Sequence, residues 1–594
     1  MKKILFNTVA VGLIFAGFAS CSDELNISSV DPQSSISADP IELLAKQYAT
    51  LGLTGQAGPA GKADISDDEG ESGFYRTIFN LQTLCSDECI WAWQNDPDIP
   101  AITFIAWSKD SKRTRWAYMR MAFDVTLFNS FLTDNADRTD GEWPHYLAEV
   151  RFLRALHFYY YLDLFHRAPF KLVYDPSILP VEKVGKDLYE WIDQELTEIE
   201  GKLAPIGEYN STANFGRADQ GAAYALHARL ALNSEVYTDG AVKDYQKAID
   251  YCNKVINSGK YDLSRTTNAN GYTGYEQVFM GDNDVNPQAM KEIIFPIRQD
   301  GKKTQEYAGS TYLVSSMRVS GMPYCGTSNY WSCNFARQAL VQKFFPDLTK
   351  VPMVVEVQEK DDKGKEIEYR GKKITNIDKY KIDNGILTDD GDIRNFANEE
   401  EVVAADDVLG GSTAKMIQVA GDDRAMFYAG VGGGIRTLTT KQITGFLNGL
   451  SIVKWQNRRS DNSTPSDASF SDTDIPLFRL AEIYLTRAEA QYRLGGNDAQ
   501  AIADVNELRN RAHATPITSI NLNMLIDEWC REFYMEGRRR SDLVRFGMFT
   551  GSKYIWDFKG GVATGTSVDK RFNVYPIPAT DRSNNPNMNQ NTGY

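Results

Sequence analysis

The chain has 594 residues, of which 42% are hydrophobic and 24% are charged, a balance that excludes wholesale disorder. Its formal net charge of −15 excludes a protein built around phosphate backbones, because such proteins need clustered Lys and Arg. Aromatic residues make up 12% of the chain, an excess that favours stacking surfaces in addition to an aromatic core.

The N-terminus has the layout of a secretory signal. Two lysines precede an apolar run over residues 4–18, and "FASC" then leads into Cys21 in a pattern that resembles a bacterial lipobox. The apolar run is shorter than the roughly 20 residues that a membrane-spanning helix needs. We therefore predict a signal peptide over 1–20 and lipidation of Cys21. A cleaved signal followed by an incidental cysteine is the alternative.

The segment after Cys21 is acidic and rich in serine, which predicts a solvated tether over residues 21–40. No later stretch is long and apolar enough to cross a bilayer. The acyl group would then be the membrane attachment. An acidic run directly after the lipidated cysteine resembles the surface-export signal of Bacteroidota lipoproteins, so we expect the protein at the surface of the outer membrane.

A first candidate site lies in "ECIWAWQNDPDIP", residues 88–100. Trp91 and Trp93 are two residues apart, and prolines and acidic residues follow them at once, which argues against a helix. In an extended segment these two side chains point to the same face. We predict that the pair forms a platform for a flat ligand, with Trp93 as the principal stacking residue. The alternative is that one of the two indoles is only the structural support of the other.

Strong helical patterns follow over 148–165, 186–203, 217–237 and 242–259. The last two have a spacing similar to tetratricopeptide repeats of about 34 residues. Between about 262 and 475 the chain is instead rich in Gly, Asn and short apolar runs. The segment that begins "VPMVVEVQEKDDKGKE" alternates around a charged turn, which predicts a β-hairpin insertion over 352–400.

The segment "DIPLFRLAEIYLTRAEAQYRLGG" has the apolar stripe of an amphipathic helix. We predict Asp474 as its N-cap, Pro476 in its first turn and a stop at Gly495, with a second helix after it. Further on, "REFYMEGRRRSDLVRFG" resembles a basic patch, but the acidic residues around its arginines favour paired charges at a helix end.

Six cysteines beyond Cys21 match no zinc spacing, and we predict buried free thiols. Two acidic segments, "DISDDEGE" at 64–71 and "GDNDVN" at 281–286, offer carboxylates that could hold calcium. The second lacks the glycine and the terminal glutamate of an EF-hand loop. No cofactor is predicted, and calcium is left unassigned.

Several segments together resemble one protein family. "AEVRFLRALHFYYYLDLF", "PLFRLAEIYLTRAEA", "DEWCREFYMEGRRRSDLVRFGMF" and "YPIPATDRSNNPNMNQNTGY" are similar to the SusD-like (RagB/SusD) family of outer-membrane nutrient-binding lipoproteins. Others, such as "DECIWAWQ" and "GTSNYWSCNFARQALVQKFF", resemble its starch-binding member. The insertion at 352–400 is the least family-like part of the chain.

The resemblance implies a mainly α fold, with tetratricopeptide-like helix pairs packed against a loop-rich half that has a few short β-hairpins. We predict a single globule over 41–594, with the helical scaffold mainly at 110–260 and 474–550 and the glycan-binding half mainly at 60–108 and 262–473. The resemblance also implies a non-catalytic protein that captures starch or maltooligosaccharides and passes them to a SusC-like TonB-dependent transporter.

The resemblance further implies which residues hold the glycan: Arg76, Trp91, Trp93, Asp96, Tyr307 and Trp331. The four aromatic residues would stack on sugars, and Arg76 would hydrogen-bond their hydroxyl groups. Asp96 stands where the starch-binding member has Asn. An ionised Asp accepts hydrogen bonds but cannot donate them, so the direction of this bond is open.

Three other functions remain open from the sequence. A glycoside hydrolase needs only two carboxylates about 5–10 Å apart, which 79 acidic residues allow. A SusD-like binder of a different glycan would carry the same family segments. A structural lid without its own ligand is a further reading. No G-x-S-x-G or HExxH motif occurs in the chain.

Overall fold

The computed structural model describes residues 39–59, 63–66, 70–96, 98–211, 213–320, 322, 324–352, 411–431, 434–435, 438, 443 and 448–594, with four two-residue strands between 368 and 394. The predicted signal peptide, the lipidated Cys21, the tether up to residue 38 and most of the 352–400 insertion lie outside the described residues. The chain divides into a short unit that ends at Lys46 and a compact unit over Gln47–Tyr594. The boundaries of the scaffold and the binding half stay a prediction.

Helices dominate the described part of the chain, so the predicted mainly α fold class is confirmed. The α-helices are α1 (Pro40–Gly52), α2 (Phe74–Thr83), α3 (Ile99–Thr103), α4 (Lys112–Asp134), α5 (Trp143–Phe165), α6 (Gly185–Glu200), α7 (Gln220–Leu232), α8 (Ser234–Tyr237), α9 (Tyr245–Ile256), α10 (Gly274–Gln277), α11 (Pro287–Glu292), α12 (Ser310–Ser316), α13 (Gln338–Val341), α14 (Gly411–Ala420), α15 (Leu480–Leu494), α16 (Asp498–Arg511), α17 (Leu522–Phe533), α18 (Arg539–Arg545) and α19 (Ala579–Asn584). Short 3-10 helices cover Leu348–Lys350, Lys559–Gly561 and Lys570–Asn573.

The strands are short and pair antiparallel. They are β1 (Cys89–Trp91), β2 (Arg167–Phe170), β3 (Val181–Val184), β4 (Ile293–Ile297), β5 (Asn334–Ala336), β6 (Glu368–Tyr369), β7 (Lys372–Lys373), β8 (Ile386–Leu387), β9 (Ile393–Arg394), β10 (Phe427–Tyr428), β11 (Gly430–Val431), β12 (Gly434–Ile435), β13 (Leu450–Ile452) and β14 (Ile475–Arg479). The described part of the predicted hairpin insertion includes the pair β6–β7.

The helices pack as a continuous series in which each contacts the next: α2, α4, α5, α6, α7, α9, α15 and α16. Helix α9 contacts both α7 and α15, and so joins helix pairs from the two ends of the chain. Small residues allow this close approach, since Ala481, Ala488, Ala490 and Ala501 are all fully buried. The interrupted tetratricopeptide-like pairs of the sequence therefore form one scaffold.

The predicted start of helix α15 is wrong. Residues Ile475–Arg479 form strand β14, which pairs with β4, and the helix begins at Leu480. All five residues of the strand are buried, and the Asp474 carboxylate accepts a hydrogen bond from the Gln299 backbone N–H at 2.6 Å instead of capping a helix. A strand partner that is distant in sequence overrides the local cap signal. The predicted stop is confirmed, because Gly495 follows the helix with a φ of 84°.

The arginines of "GRRRSDLVRF" pair with carboxylates inside the protein, as predicted. Arg539 binds Asp87 through two nitrogens at 2.7 and 2.8 Å, and Arg545 does the same with Glu489 at 2.8 and 2.9 Å. Both guanidinium groups are buried. The segment is thus part of the packing between α18 and its neighbours and not a nucleic-acid-binding surface.

The cysteines beyond Cys21 are buried free thiols, as predicted: Cys85, Cys89, Cys252, Cys325, Cys333 and Cys530. Burial raises the pKa of Cys85 to about 11, so this thiol stays protonated and unreactive at neutral pH. In the described part of the chain, no helix combines the length and apolar character needed to cross a bilayer.

A four-stranded antiparallel sheet in the order β1-β5-β13-β10 positions the candidate site. Strand β1 pairs with β5, so that Trp91 lies opposite Asn334 and Ile90 lies opposite Phe335. Side chains alternate across a strand, and Ile90 points into an apolar cluster with Ala92 and Phe335. Trp91 consequently points away from that cluster, toward helix α12.

Candidate functional site

The Trp91 ring is buried, with 3% of its surface exposed, and it stacks on Tyr312 of helix α12. The two ring centres are 5.9 Å apart and the planes differ by 24°. The indole Nε1 donates a hydrogen bond to the Asp96 carboxylate at 3.1 Å. Trp91 thus packs against Tyr312, and its contact with a ligand stays a prediction.

Trp93 follows the strand and is exposed over 42% of its surface, which is unusual for a tryptophan. The chain turns directly after it, because the Asp96 backbone N–H donates to the Trp93 carbonyl oxygen at 3.1 Å. The turn brings the Asp96 carboxylate back to Trp91. The two indoles thus differ: one is packed against the protein and the other is presented to solvent.

Trp331 lies in a loop that is tied to the end of helix α12. Its backbone N–H donates to the Ser315 carbonyl oxygen at 2.9 Å, and the next residue, Ser332, donates to Arg318 at the same distance. Ser332 has a φ of 55°, a left-handed conformation that turns the chain from Trp331 toward β5. The half-buried Trp331 ring packs at 6.3 Å from Tyr312.

Tyr307 precedes helix α12 and lies beside Trp331, with ring centres 5.5 Å apart and an edge-to-face geometry. Its backbone is pressed against the segment before helix α2. A Cβ at Gly70 would lie 2.6 Å from the Tyr307 carbonyl carbon, and Gly70 has a φ of 92°, so this position requires glycine. The Tyr307 ring also contacts Phe470 at 5.2 Å.

Arg76 lies beneath these rings and is buried, with 7% of its surface exposed. Its guanidinium carbon is 4.5 Å from the centre of the Tyr312 ring and 6.0 Å from that of Trp331. Nη1 donates to the Tyr307 carbonyl oxygen at 3.2 Å. A planar cation over a ring face is attractive, so Arg76 fixes three of the aromatic residues at once.

A second arginine, Arg113, contacts the Trp91 ring and shares a carboxylate with Arg76. Arg113 lies 6.0 Å from the Trp91 ring and forms an ion pair with Glu71 at 2.9 Å. The same Glu71 oxygen is 4.0 Å from Arg76 Nη2. One buried carboxylate therefore serves both guanidinium groups, and each of these groups faces an aromatic ring.

Taken in order of contact, the rings form one array: Trp91, Tyr312, Trp331, Tyr307 and Phe470. The structure brings together Arg76, Trp91, Tyr307 and Trp331, with Trp93 and Asp96 at the Trp91 end. That these residues hold a glycan stays a prediction.

Sequence reasoning missed Tyr312 and Phe470. Tyr312 lies five residues after Tyr307, and Phe470 is an aromatic residue in the polar run "SDASFSD". Either pattern was a usable signal.

The structure places the candidate calcium carboxylates in hydrogen bonds and ion pairs. Asp282 accepts from the Ser460 N–H and hydroxyl at 2.8 and 2.6 Å, and Asp284 pairs with Arg298 at 3.0 Å. In the segment 64–71, residues 67–69 lie outside the described part, and Glu71 pairs with Arg113. Across the described ranges, no group of three or more His, Cys, Asp or Glu side chains is arranged to hold a metal ion.

The fold and the array define a helical scaffold protein that presents an aromatic platform on loops. A family model described as the SusD family matches residues 291–594, just over half of the chain. The chain is also 50% identical to the starch-binding protein SusD of Bacteroides thetaiotaomicron, over all of this chain and 99% of that protein. The chain belongs to the SusD family, which confirms the resemblance seen in the sequence.

Solved structures share the fold at lower identity. A SusD-like carbohydrate-binding protein from Bacteroides fragilis superposes with a TM-score of 0.62 at 16% identity, over 92% of this chain and 98% of that one. A laminarin-binding SusD-like protein superposes with a TM-score of 0.58 at 18% identity, over 93% of this chain and 98% of that one. At these identities the likeness shows the fold alone.

Proposed function

We propose that this chain is a cell-surface lipoprotein that captures starch and maltooligosaccharides by aromatic stacking and delivers them to a SusC-like TonB-dependent transporter. The observation that carries the proposal is the aromatic platform of Trp331 and Tyr307, together with the exposed Trp93, in a chain that is 50% identical to a starch-binding protein over its whole length. Lipidation of Cys21 would attach the protein to the outer membrane.

The chemistry of the platform suits a glucan. A pyranose ring presents a flat face of C–H groups, and stacking it on an indole or phenol ring removes both apolar surfaces from water. A single stacked ring contributes on the order of 1 kcal/mol beyond burial. Several rings in a row therefore recognise a chain and not a single sugar, and the modest affinity of each permits release to a transporter. Multiple protein copies on the surface restore avidity.

The polar groups of the site have complementary roles in this proposal. Arg76 has N–H donors for sugar hydroxyl groups, and Asp96 is an acceptor. The Trp91 indole already donates to one Asp96 oxygen, which fixes the orientation of the carboxylate. A sugar hydroxyl group at Asp96 would therefore be the donor. The platform needs no catalytic group, and we propose a binding protein and not an enzyme.

A different glycan is the second candidate ligand. A laminarin-binding protein has the same fold. By the family resemblance, Asp96 stands where the starch-binding member has Asn, which would change the hydrogen-bonding character of one position. Laminarin and other neutral glycans thus belong beside starch in the binding assays.

Affinity electrophoresis tests the proposal. Soluble protein lacking residues 1–21 should be retarded in gels that contain starch and should release no new reducing ends from maltooligosaccharides. The substitutions Trp93→Ala, Tyr307→Ala and Trp331→Ala should each weaken retardation by about tenfold in affinity, because each removes a stacking ring. Thermal unfolding should change little.

The other outcomes separate the alternatives. Shortened oligosaccharides would show a hydrolase. Retardation by laminarin but not by starch would show the second candidate, and no retardation by any glycan would favour a lid without its own ligand. Loss of folding in all three variants would mark the rings as core. Co-purification of a TonB-dependent transporter from outer membranes tests the proposed partner.

A further inference from the structure

Phe470 extends the aromatic array beyond the residues that the sequence singles out. Its ring centre lies 5.2 Å from that of Tyr307 with an interplanar angle of 35°, so the two rings pack against each other in a tilted arrangement. The side chain is half-buried, which leaves part of the ring open to solvent. It stands on a loop between β13 and β14, far in sequence from every other ring of the array.

The loop that carries Phe470 is held in place before any ligand arrives. The Asp467 carboxylate accepts from the backbone N–H groups of Ser469 and Phe470 at 2.7 and 3.0 Å. The Trp331 loop adds two bonds, because Ser328 donates to the Ala468 carbonyl and Asn329 donates to the Ser469 carbonyl, both at 2.7 Å. A ring on a fixed loop loses little entropy when it binds.

The array has a polar end and an apolar end. Asp96 contacts Trp91, and the Arg76 guanidinium lies nearest to Tyr312, with Trp331 next. Phe470 terminates the array on the far side of Tyr307, and its benzyl side chain has no hydrogen-bonding group. A short ligand held by the polar groups would reach Tyr307, whereas a longer chain would continue onto Phe470.

We propose that Phe470, together with Tyr307, forms an additional subsite that takes the apolar C–H face of one further neutral pyranose unit of a longer glucan chain. This inference rests on the proposed function, since it names where the same ligand continues. The Phe470 ring of this subsite recognises a sugar face without reading its hydroxyl groups. Its effect is therefore a preference for chain length and not for the identity of a terminal sugar.

The test compares a short and a long probe, maltotriose and maltoheptaose, by titration calorimetry on the full-length chain in detergent. Phe470→Ala should weaken maltoheptaose binding by about fivefold to tenfold, the loss of one stacked ring. Maltotriose binding should change by less than about twofold by the same reasoning. Phe470→Tyr keeps an aromatic plane and should retain the maltoheptaose affinity.

Two further variants serve as controls for this test. Phe470→Leu keeps apolar packing against Tyr307 but removes the aromatic plane, and should show the same length-dependent loss if Phe470→Ala fails to fold. The control Tyr174→Ala removes an exposed aromatic side chain from the helical scaffold. The backbone N–H of Tyr174, which donates to the Thr133 hydroxyl group, is kept. This variant should change the affinity for neither probe.

Equal weakening of both probes by Phe470→Ala and Phe470→Leu would overturn the proposal, because Phe470 would then act only by supporting Tyr307. Unchanged maltoheptaose binding in these variants would also overturn it. Failure of the wild-type chain to bind either probe would instead overturn the proposed function, and the subsite with it.

Discussion

Arginine serves two different purposes in two regions of this molecule. In the buried charge network around helix α17, Arg424, Arg479 and Arg511 are fully buried and all contact Glu532. In the aromatic platform, Arg76 and Arg113 lie over ring faces and share the single carboxylate of Glu71. The first region gathers three guanidinium groups around one carboxylate, whereas in the second Arg76 has its carboxylate only at 4.0 Å and the Tyr312 ring centre at 4.5 Å.

The difference separates stability from binding. A buried charge without its partner is costly, so the network around Glu532 must stay complete for the protein to fold. The Arg76 guanidinium fixes the buried Tyr312 ring, against which the half-buried Trp331 ring packs. Substitutions in the network should therefore change unfolding, and substitutions in the platform should change affinity.

The largest expected effect is on stability. Glu532→Gln removes the charge that faces Arg424 at 3.0 Å and Arg479 at 2.6 Å, and should lower the free energy of unfolding by about 3–5 kcal/mol. Chemical denaturation measures this change. The control is Glu198→Gln, which removes a half-exposed ion pair with Arg151 and should lower the free energy of unfolding far less. An equal loss of stability in the two variants would contradict the prediction.

The same network predicts a loss of stability in acid. Burial by itself would raise the pKa of Glu528, but Arg531, Arg424 and Arg509 lower it to about 2. The unfolded chain has an ordinary Glu pKa of about 4.3. The contribution of Glu528 is thus complete above that pH and is lost as the pH falls from about 4 to about 2.

Denaturation midpoints measured at a series of pH values between 6 and 2 check this direction. Glu528→Gln should lower stability at pH 6 and flatten the dependence below pH 4, because the titrating group is gone. A wild-type midpoint that rises as the pH falls through this range would contradict the prediction.

An intermediate effect is expected in the platform. Arg76→Lys keeps the charge but cannot both cover Tyr312 and donate to the Tyr307 carbonyl oxygen as the planar guanidinium does. Affinity for maltoheptaose should fall by about tenfold, with the free energy of unfolding lowered by about 1 kcal/mol or less. Calorimetric titration measures the affinity.

The matched control is Arg138→Lys. Arg138 is half-exposed and lies 4.7 Å from the Trp143 ring at the start of helix α5, a cation–π distance similar to that of Arg76 from Tyr312. This variant should leave the affinity unchanged. The comparison fails if Arg138→Lys and Arg76→Lys weaken binding equally.

The smallest effect is expected at Asp96. In Asp96→Asn the amide oxygen can still accept from Trp91 Nε1, so the turn is kept and the amide N–H₂ faces the ligand. Because sugar hydroxyl groups both donate and accept, affinity for neutral maltooligosaccharides should stay within about threefold of wild type. A loss above that range would show that the direction of this hydrogen bond decides binding.

Periodic segments predicted much of the fold correctly. The apolar stripe of α15 and the near-continuous apolar character of α5 identify helices because a helical period is visible within one segment. Strand β14 is not visible in the local sequence pattern because its partner β4 is remote in sequence. A helix cap at Asp474 would stabilise the chain less than the burial of five strand residues and their pairing with β4.

The candidate site, like the fold, was predictable from the sequence only in part. Sequence alone determined the family segments, the aromatic candidates Trp93, Tyr307 and Trp331, and the charge pairing near α18. Tertiary structure decided which indole is exposed, and it added Tyr312 and Phe470 to the array. The physical reason is that residue type and period are local properties, whereas the burial and neighbours of a ring depend on segments more than 100 residues apart.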